Sequence, residues 1–123
     1  MSEVSKRILV LEDNKPVAEL LKFYFGEQGY QVKVIYQGKE FFQAIEDFKP
    51  DLVTIDIELP DEDGMELFRQ LQANPEKKTI PVVFISIHEE QQELGLQLGA
   101  KGFILKPFVE NELCQVILEA MEK

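Results

Sequence analysis

Short apolar runs alternate with amphipathic stretches along the chain. Five runs have the length of strands, and they read RILVLE, YQVKVI, DLVTID, IPVVFIS and KGFIL. The second run alternates apolar and polar residues, which is typical of a half-exposed strand at the edge of a sheet. The fourth run is apolar throughout, as interior parallel strands are. The pattern therefore predicts five strands, with the second at an edge.

Between these runs, apolar residues recur at the spacing of helices. The predicted helices read NKPVAELLKFYFGEQG, KEFFQAIEDF, GMELFRQLQAN, EEQQELGLQLG and VENELCQVILEAMEK. Asp13 or Asn14 could cap the first helix, with Pro16 in its first turn. The fourth helix is weak because it contains Gly95 and few apolar residues. The residues expected to face the core are Val17, Leu20, Leu21, Tyr24, Phe41, Ala44, Ile45, Phe48, Met65, Phe68, Leu71, Leu113, Val116, Ile117, Ala120 and Met121.

Strict alternation of strands and helices predicts an α/β fold, with a parallel sheet and helices on both faces. Each crossover should be right-handed. If the second strand is at an edge and the first lies inside, the five-stranded sheet has the order 2-1-3-4-5, that of the flavodoxin-like doubly wound (βα)5 fold. A Rossmann order would favour a glycine-rich turn after the first strand, but LEDNKP stands there.

Composition narrows the class of protein. The 123 residues fit a single domain, residues 1–123. The net charge of −10, from 23 acidic and 13 basic residues, disfavours direct binding to nucleic acid or to an anionic membrane. One cysteine, Cys114, excludes an internal disulfide and is expected to be a buried or half-buried apolar residue. Residues 1–10 lack a signal-peptide pattern, and we expect a cytoplasmic protein.

Polar residues end four of the five predicted strands. Glu12 and Asp13 end the first strand, Asp56 the third, Ser86 the fourth and Lys106 the fifth. In open α/β sheets, ligands bind at the carboxyl ends of the strands, so we expect these side chains to converge. Clustered carboxylates repel one another unless a cation joins them, and oxygen ligands select Mg²⁺. A carboxylate nucleophile beside a divalent ion, a lysine and a hydroxyl is typical of phosphoryl transfer.

Four stretches carry a resemblance to a known family: ILVLEDN, DLVTIDIELPDEDGMEL, PVVFIS and GAKGFILKPF. In this order and spacing they resemble the receiver domain of two-component response regulators, over essentially the whole chain. The resemblance implies that Asp56 is phosphorylated and that Ser86 and Lys106 contact the phosphoryl group. Ser86 and Phe103 would be the switch residues, and the Lys106–Pro107 peptide bond would be cis.

The resemblance also implies a Mg²⁺ site. Asp13 and Asp56 would be direct ligands, and Glu12 would act through a water molecule. The backbone carbonyl of Glu58 would complete the protein ligands. Glu12 stands where the family more often has aspartate, which a water-mediated role tolerates.

By the same resemblance, the protein is a phosphorylation-activated switch. Asp56 would accept the phosphoryl group from a sensor histidine kinase, a phosphotransfer protein or a small acyl phosphate. His88, the only histidine, is expected to be a loop residue rather than a phosphoryl donor. The protein would not be a conventional enzyme, although it would catalyse its own phosphorylation and dephosphorylation. The surface of the fourth helix, fifth strand and fifth helix would control an output domain or partner protein, and could form a homodimer.

Two alternatives stay open. The first is a receiver-like interaction module that works without phosphorylation, which Mg²⁺ binding and acyl phosphorylation of Asp56 would exclude. The second is a phosphatase with an aspartyl nucleophile, similar to the haloacid dehalogenases. Glu58 would then be the general acid–base two residues after Asp56. Sustained turnover of a phosphate ester would favour this alternative.

Overall fold

One five-stranded parallel sheet with the order β2-β1-β3-β4-β5 forms the centre of the molecule. The computed structural model describes residues 5–122, so the ends of the predicted domain, residues 1–4 and 123, lie outside the described part. The strand order confirms the predicted flavodoxin-like fold. The strands are β1 (Arg7–Leu11), β2 (Gln31–Ile35), β3 (Leu52–Asp56), β4 (Val82–Ser86) and β5 (Gly102–Leu105).

Helices follow the strands in regular alternation. They are α1 (Lys15–Glu27), α2 (Phe41–Phe48), α3 (Gly64–Gln72), α4 (Gln92–Gln97) and α5 (Glu110–Glu122). The α1 helix begins after Asn14, whose side chain accepts a hydrogen bond of 3.1 Å from the Val17 N–H. Asn14 is therefore the N-cap of α1, and Asp13, the other predicted cap, does not cap this helix. Within residues 5–122, no helix is both long enough and apolar enough to cross a bilayer.

Two apolar layers cover the two faces of the sheet. Side chains of α2 and α3, among them Phe41 and Phe68, pack on one face. Side chains of α1 and α5, among them Phe25 and Ile117, pack on the other. All five residues of β3 and of β4 are buried. The carboxyl ends of these interior strands are thereby fixed in position by packing on both sides.

The face that α1 buries differs from the predicted one, and Val17 and Tyr24 are only half-buried. Leu20 was expected in the core but is 41% exposed. The helix instead packs on the sheet through Ala18, Leu21 and Phe25, a row at helical spacing. Leu20 lies on the flank of this row, where it faces an open groove.

The β4 strand is also shorter than predicted. It begins at Val82 rather than Ile80, and Pro81 precedes it. Proline has no N–H for the ladder, which is a physical reason for the strand to start after it.

The α4 helix is short and weakly buried, as the sequence predicts. The segment from Glu89 to Gln91 is a 3₁₀ turn, so the α-helix begins at Gln92, later than expected. Gly95 is its one buried residue, and a Cβ at Gly95 would lie 3.0 Å from Cδ2 of Phe84. The helix therefore lies close to the sheet at Gly95.

Candidate functional site

Three carboxylates meet at the carboxyl edge of the sheet. Glu12 and Asp13 follow β1 and Asp56 ends β3, and these two strands are neighbours. One oxygen from each of the three side chains lies within 4.8 Å of the other two. Glu12 and Asp56 are buried, whereas Asp13 is exposed. The structure thus brings together the three side chains predicted as metal ligands.

The Lys106 ammonium faces the two buried acids. The Lys106 Nζ atom lies 3.0 Å from Oε1 of Glu12 and 3.4 Å from Oδ2 of Asp56. The Lys106–Pro107 peptide bond is cis, which confirms the prediction. Burial opposes the charge on the Lys106 ammonium, but Glu12 and Asp56 outweigh it and raise its pKa. Lys106 therefore stays positively charged at neutral pH.

The Asp56 carboxyl is in an environment that opposes its ionisation. Burial, and then the neighbouring Glu12 carboxyl, raise the pKa of Asp56 to about 8. Lys106 and the Glu58 N–H, which donates to Oδ1 of Asp56 at 3.0 Å, act in the opposite direction. A divalent cation at this edge would favour the carboxylate form. The set of oxygen ligands and its excess of negative charge both fit Mg²⁺.

Ser86 lies at the end of β4, and its hydroxyl both donates and accepts a hydrogen bond. The Oγ atom donates a hydrogen bond of 2.6 Å to Oε2 of Glu58 and accepts one of 2.9 Å from the His88 N–H. Ser86 is completely buried. Oε1 of Glu58 also accepts a longer hydrogen bond, of 3.4 Å, from the Ile87 N–H.

The contact of the Glu58 side chain with Ser86 is the feature that sequence reasoning missed. The resemblance implied a role for its backbone carbonyl alone, but its carboxylate contacts the predicted phosphoryl-binding hydroxyl of Ser86. A usable signal was available, since an acid placed two residues after a strand end can reach the end of the adjacent strand. The β3 and β4 strands are such neighbours.

The loop that carries Glu58 is hydrogen-bonded to the loop after β2. The Asp61 carboxylate accepts hydrogen bonds from the N–H groups of Gly38 at 3.0 Å and Lys39 at 3.1 Å. These hydrogen bonds lower the pKa of Asp61, and the Gly38 N–H has the largest effect. The position of the loop between β3 and α3 is therefore set at both of its sides, by Asp61 and by Glu58.

The remaining residues singled out from the sequence lie on other elements. Phe103 is half-buried on β5, in register with Phe84 of β4. His88 is exposed in the loop after β4, and its Nδ1 lies 3.1 Å from a carboxylate oxygen of Glu90. Cys114 is half-buried on α5.

An open apolar groove borders the site on one side. Ile87 is 61% exposed and lines this groove beside Lys106. The other lining residues are Val17, Leu20, Pro107 and Phe108. The exposure of Leu20, which the periodicity did not predict, is explained by its place in this groove.

Residues 8–118 match the response regulator receiver domain family. A signal receiver domain of a signal transduction histidine kinase from Syntrophus aciditrophicus is 32% identical, with a TM-score of 0.86, over 96% of this chain and 91% of that one. The BeF₃-activated N-terminal receiver domain of RstA from Klebsiella pneumoniae is 30% identical, with a TM-score of 0.87, over 96% and 100%. A receiver domain of a sensor histidine kinase from Pseudomonas aeruginosa, with magnesium in its active site cleft, is 23% identical, with a TM-score of 0.85, over 98% and 100%.

Proposed function

The chain belongs to the response regulator receiver domain family, and from this premise we propose that Asp56 is its phosphoacceptor. Receiver domains are signalling domains of two-component systems, not conventional enzymes. The observation that carries the proposal is the placement of the Asp56 carboxylate between two further acids and the Lys106 ammonium. A nucleophile, the ligands for a cation and a fixed positive charge are thereby present at one point.

The reaction would be a transfer to one oxygen of Asp56. That oxygen forms a bond to phosphorus while the bond from phosphorus to the donor breaks. The electron pair of the broken bond leaves with the imidazole of a kinase or phosphotransfer protein, or with the carboxylate of a small acyl phosphate. Lys106 offsets the charge of the transferred oxygens. Water can later attack the resulting acyl phosphate, which returns Asp56 and inorganic phosphate.

Mg²⁺ is the cofactor proposed for this site, in line with the magnesium of the Pseudomonas relative. Asp13 and Asp56 would hold it directly, Glu12 through water, and Glu58 through its backbone carbonyl. When bound, Mg²⁺ supplies positive charge next to the oxygens of the transferred group. The three carboxylates lie close enough to share such an ion.

The proposed output is a change on the surface formed by α4, β5 and α5. Ser86 and Phe103 would be the switch residues that couple Asp56 to this surface. The low burial of α4, in which Gly95 is the one buried residue, supports a role as the element that moves. The surface would regulate an output domain or partner protein, or form a homodimer. The protein would be cytoplasmic, and its residues 1–123 would make one receiver domain.

Asp56→Asn should abolish phosphorylation, because an amide is a poor nucleophile. Intact-mass measurement after incubation with acetyl phosphate and Mg²⁺ should show one added phosphoryl group on the wild type and none on the variant. Asp47→Asn, which changes an exposed acid of α2, is the matched control and should be labelled like the wild type. Full labelling of Asp56→Asn would contradict the assignment, and an unlabelled wild type would favour an interaction module.

Asp13→Asn should weaken Mg²⁺ binding by roughly tenfold or more, because it removes a charged ligand. Isothermal titration calorimetry with MgCl₂ measures the affinity directly. The Asp47→Asn variant carries the same change in net charge and should bind Mg²⁺ like the wild type. Equal affinities for Asp13→Asn and Asp47→Asn would remove Asp13 from the site.

A further inference from the structure

The contact between Glu58 and Ser86 is unusual in its chemistry. A hydroxyl fully buried in the protein donates to a carboxylate at 2.6 Å, a distance typical of strong, charge-assisted hydrogen bonds. The neighbouring N–H of Ile87 points to the other oxygen of the same carboxylate at 3.4 Å. The Ser86 hydroxyl, at the end of β4, and the Ile87 N–H, just after it, therefore both point to the Glu58 carboxylate.

The hydroxyl of Ser86 has a single proton to donate. Its oxygen already accepts a hydrogen bond from the His88 N–H, and its proton is given to Glu58. A phosphoryl oxygen is an acceptor, so it can accept a hydrogen bond from Ser86 only after the hydroxyl has given up its hydrogen bond to Glu58. The carboxylate and the phosphoryl group are thus alternative acceptors for the same hydroxyl.

Glu58 is also tied to the proposed phosphoacceptor. Its backbone N–H donates to Oδ1 of Asp56 at 3.0 Å, and Asp56 is in register with Ile85, next to Ser86. Glu58 therefore contacts both groups that a phosphoryl group on Asp56 would join, Asp56 through its backbone N–H and Ser86 through its carboxylate.

We propose that the Glu58 carboxylate is an internal competitor of the phosphoryl group, which holds the Ser86 hydroxyl until a phosphoryl oxygen displaces it. This inference rests on the proposed function, since it presupposes a phosphoryl group on Asp56. Glu58 is a positioning residue, because it acts through Ser86 and not on the reacting atoms. The competition stabilises the unphosphorylated form and lowers the affinity of the site for tetrahedral oxyanion analogues.

The test uses beryllofluoride, a phosphoryl analogue, with saturating Mg²⁺ and the full chain. Glu58→Ala should bind it about tenfold more tightly than the wild type, equivalent to about 1.4 kcal/mol. Glu58→Gln should fall between the two, because its neutral carbonyl still accepts the hydroxyl, but more weakly. Glu89→Gln removes a nearby exposed charge outside the site and should bind like the wild type.

A second arm separates competition for the hydroxyl from simple charge repulsion. In a Ser86→Ala background, removal of the Glu58 side chain should change beryllofluoride affinity by less than about twofold, because there is no hydroxyl to release. The same tenfold gain in that background would overturn the proposal and leave repulsion as the cause. In the protein without metal, the amide resonances of Ile87 and His88 should shift in Glu58→Ala and stay in place in Asp47→Asn, which changes an exposed acid on α2.

The two proposals fail in different ways. If the wild type and every variant bind no beryllofluoride, the proposed function fails and this inference fails with it. If all of them bind it with equal affinity, the phosphoacceptor site stands and the role of Glu58 is refuted.

Discussion

Gly64→Ala should destabilise the protein by about 3 kcal/mol, because the first residue of α3 lies directly against the end of β3. A Cβ at this position would be 2.4 Å from the backbone oxygen of Asp56 and 2.8 Å from Cα of Ile57. Both atoms belong to a backbone segment with buried side chains, so neither can yield without moving the strand that carries Asp56. Urea unfolding measures the change in the free energy of unfolding.

Gly26→Ala is the matched control for Gly64→Ala. Gly26 lies inside α1, and a Cβ there would meet nothing within 4 Å. Alanine is the better helix former, so this variant should be more stable than the wild type by about 0.5 to 1 kcal/mol. Opposite signs for the two variants are the expected result. A Gly64→Ala protein as stable as the wild type would show that α3 can move away from β3 at little cost.

The second large effect is a pH-dependent loss of stability that Asp56 causes when no divalent cation is present. The pKa of Asp56 is raised to about 8 in the folded protein, above the ordinary value of 3.8. The folded protein therefore binds this proton more tightly than the unfolded chain does. The resulting stability is fully present below the ordinary pKa and is lost as the pH rises through about 8.

Asp56→Asn should remove this loss, because an amide does not ionise. At about pH 9 and with a chelator present, the variant should be more stable than the wild type by roughly 2 to 4 kcal/mol. Urea unfolding between about pH 6 and pH 9 gives the two curves. Mg²⁺ should restore much of the stability of the wild type at the higher pH, since it binds the folded state. Parallel curves for the wild type and Asp56→Asn would contradict the prediction, whereas Asp47→Asn should follow the wild type.

The convergence of the site residues could be predicted from the sequence because it depends on the topology alone. Once the strands are parallel and β2 is at the edge, the ends of β1, β3, β4 and β5 lie side by side. Any residue at those ends, such as Glu12 or Asp56, must then be at the same edge. This step needs the periodicity of the strands and one handedness rule, and no knowledge of side-chain conformation.

The sequence places Glu58 within reach of Ser86, but whether the two side chains make contact could not be predicted in the same way. The contact joins residues 28 positions apart and depends on the rotamer of a loop residue. The exposure of Leu20 is a second example, since helical spacing gives the period of a face but not which of two adjacent rows points at the sheet. The need for glycine at Gly64 is a third, because the distance between a helix start and a strand end is a property of tertiary packing.

The approach of α4 through Gly95 has a mechanical consequence. Helices usually interlock with their neighbours through ridges of side chains that fit into grooves, and such contacts resist sliding. Gly95 has no side chain to form a ridge, and it lies against the flat ring of Phe84, the neighbour of Phe103 in the adjacent strand. The contact at Gly95 therefore resists sliding of α4 less than interlocked side chains would. We expect α4 to shift relative to β4 at a lower energetic cost than a helix whose side chains interlock with the strand.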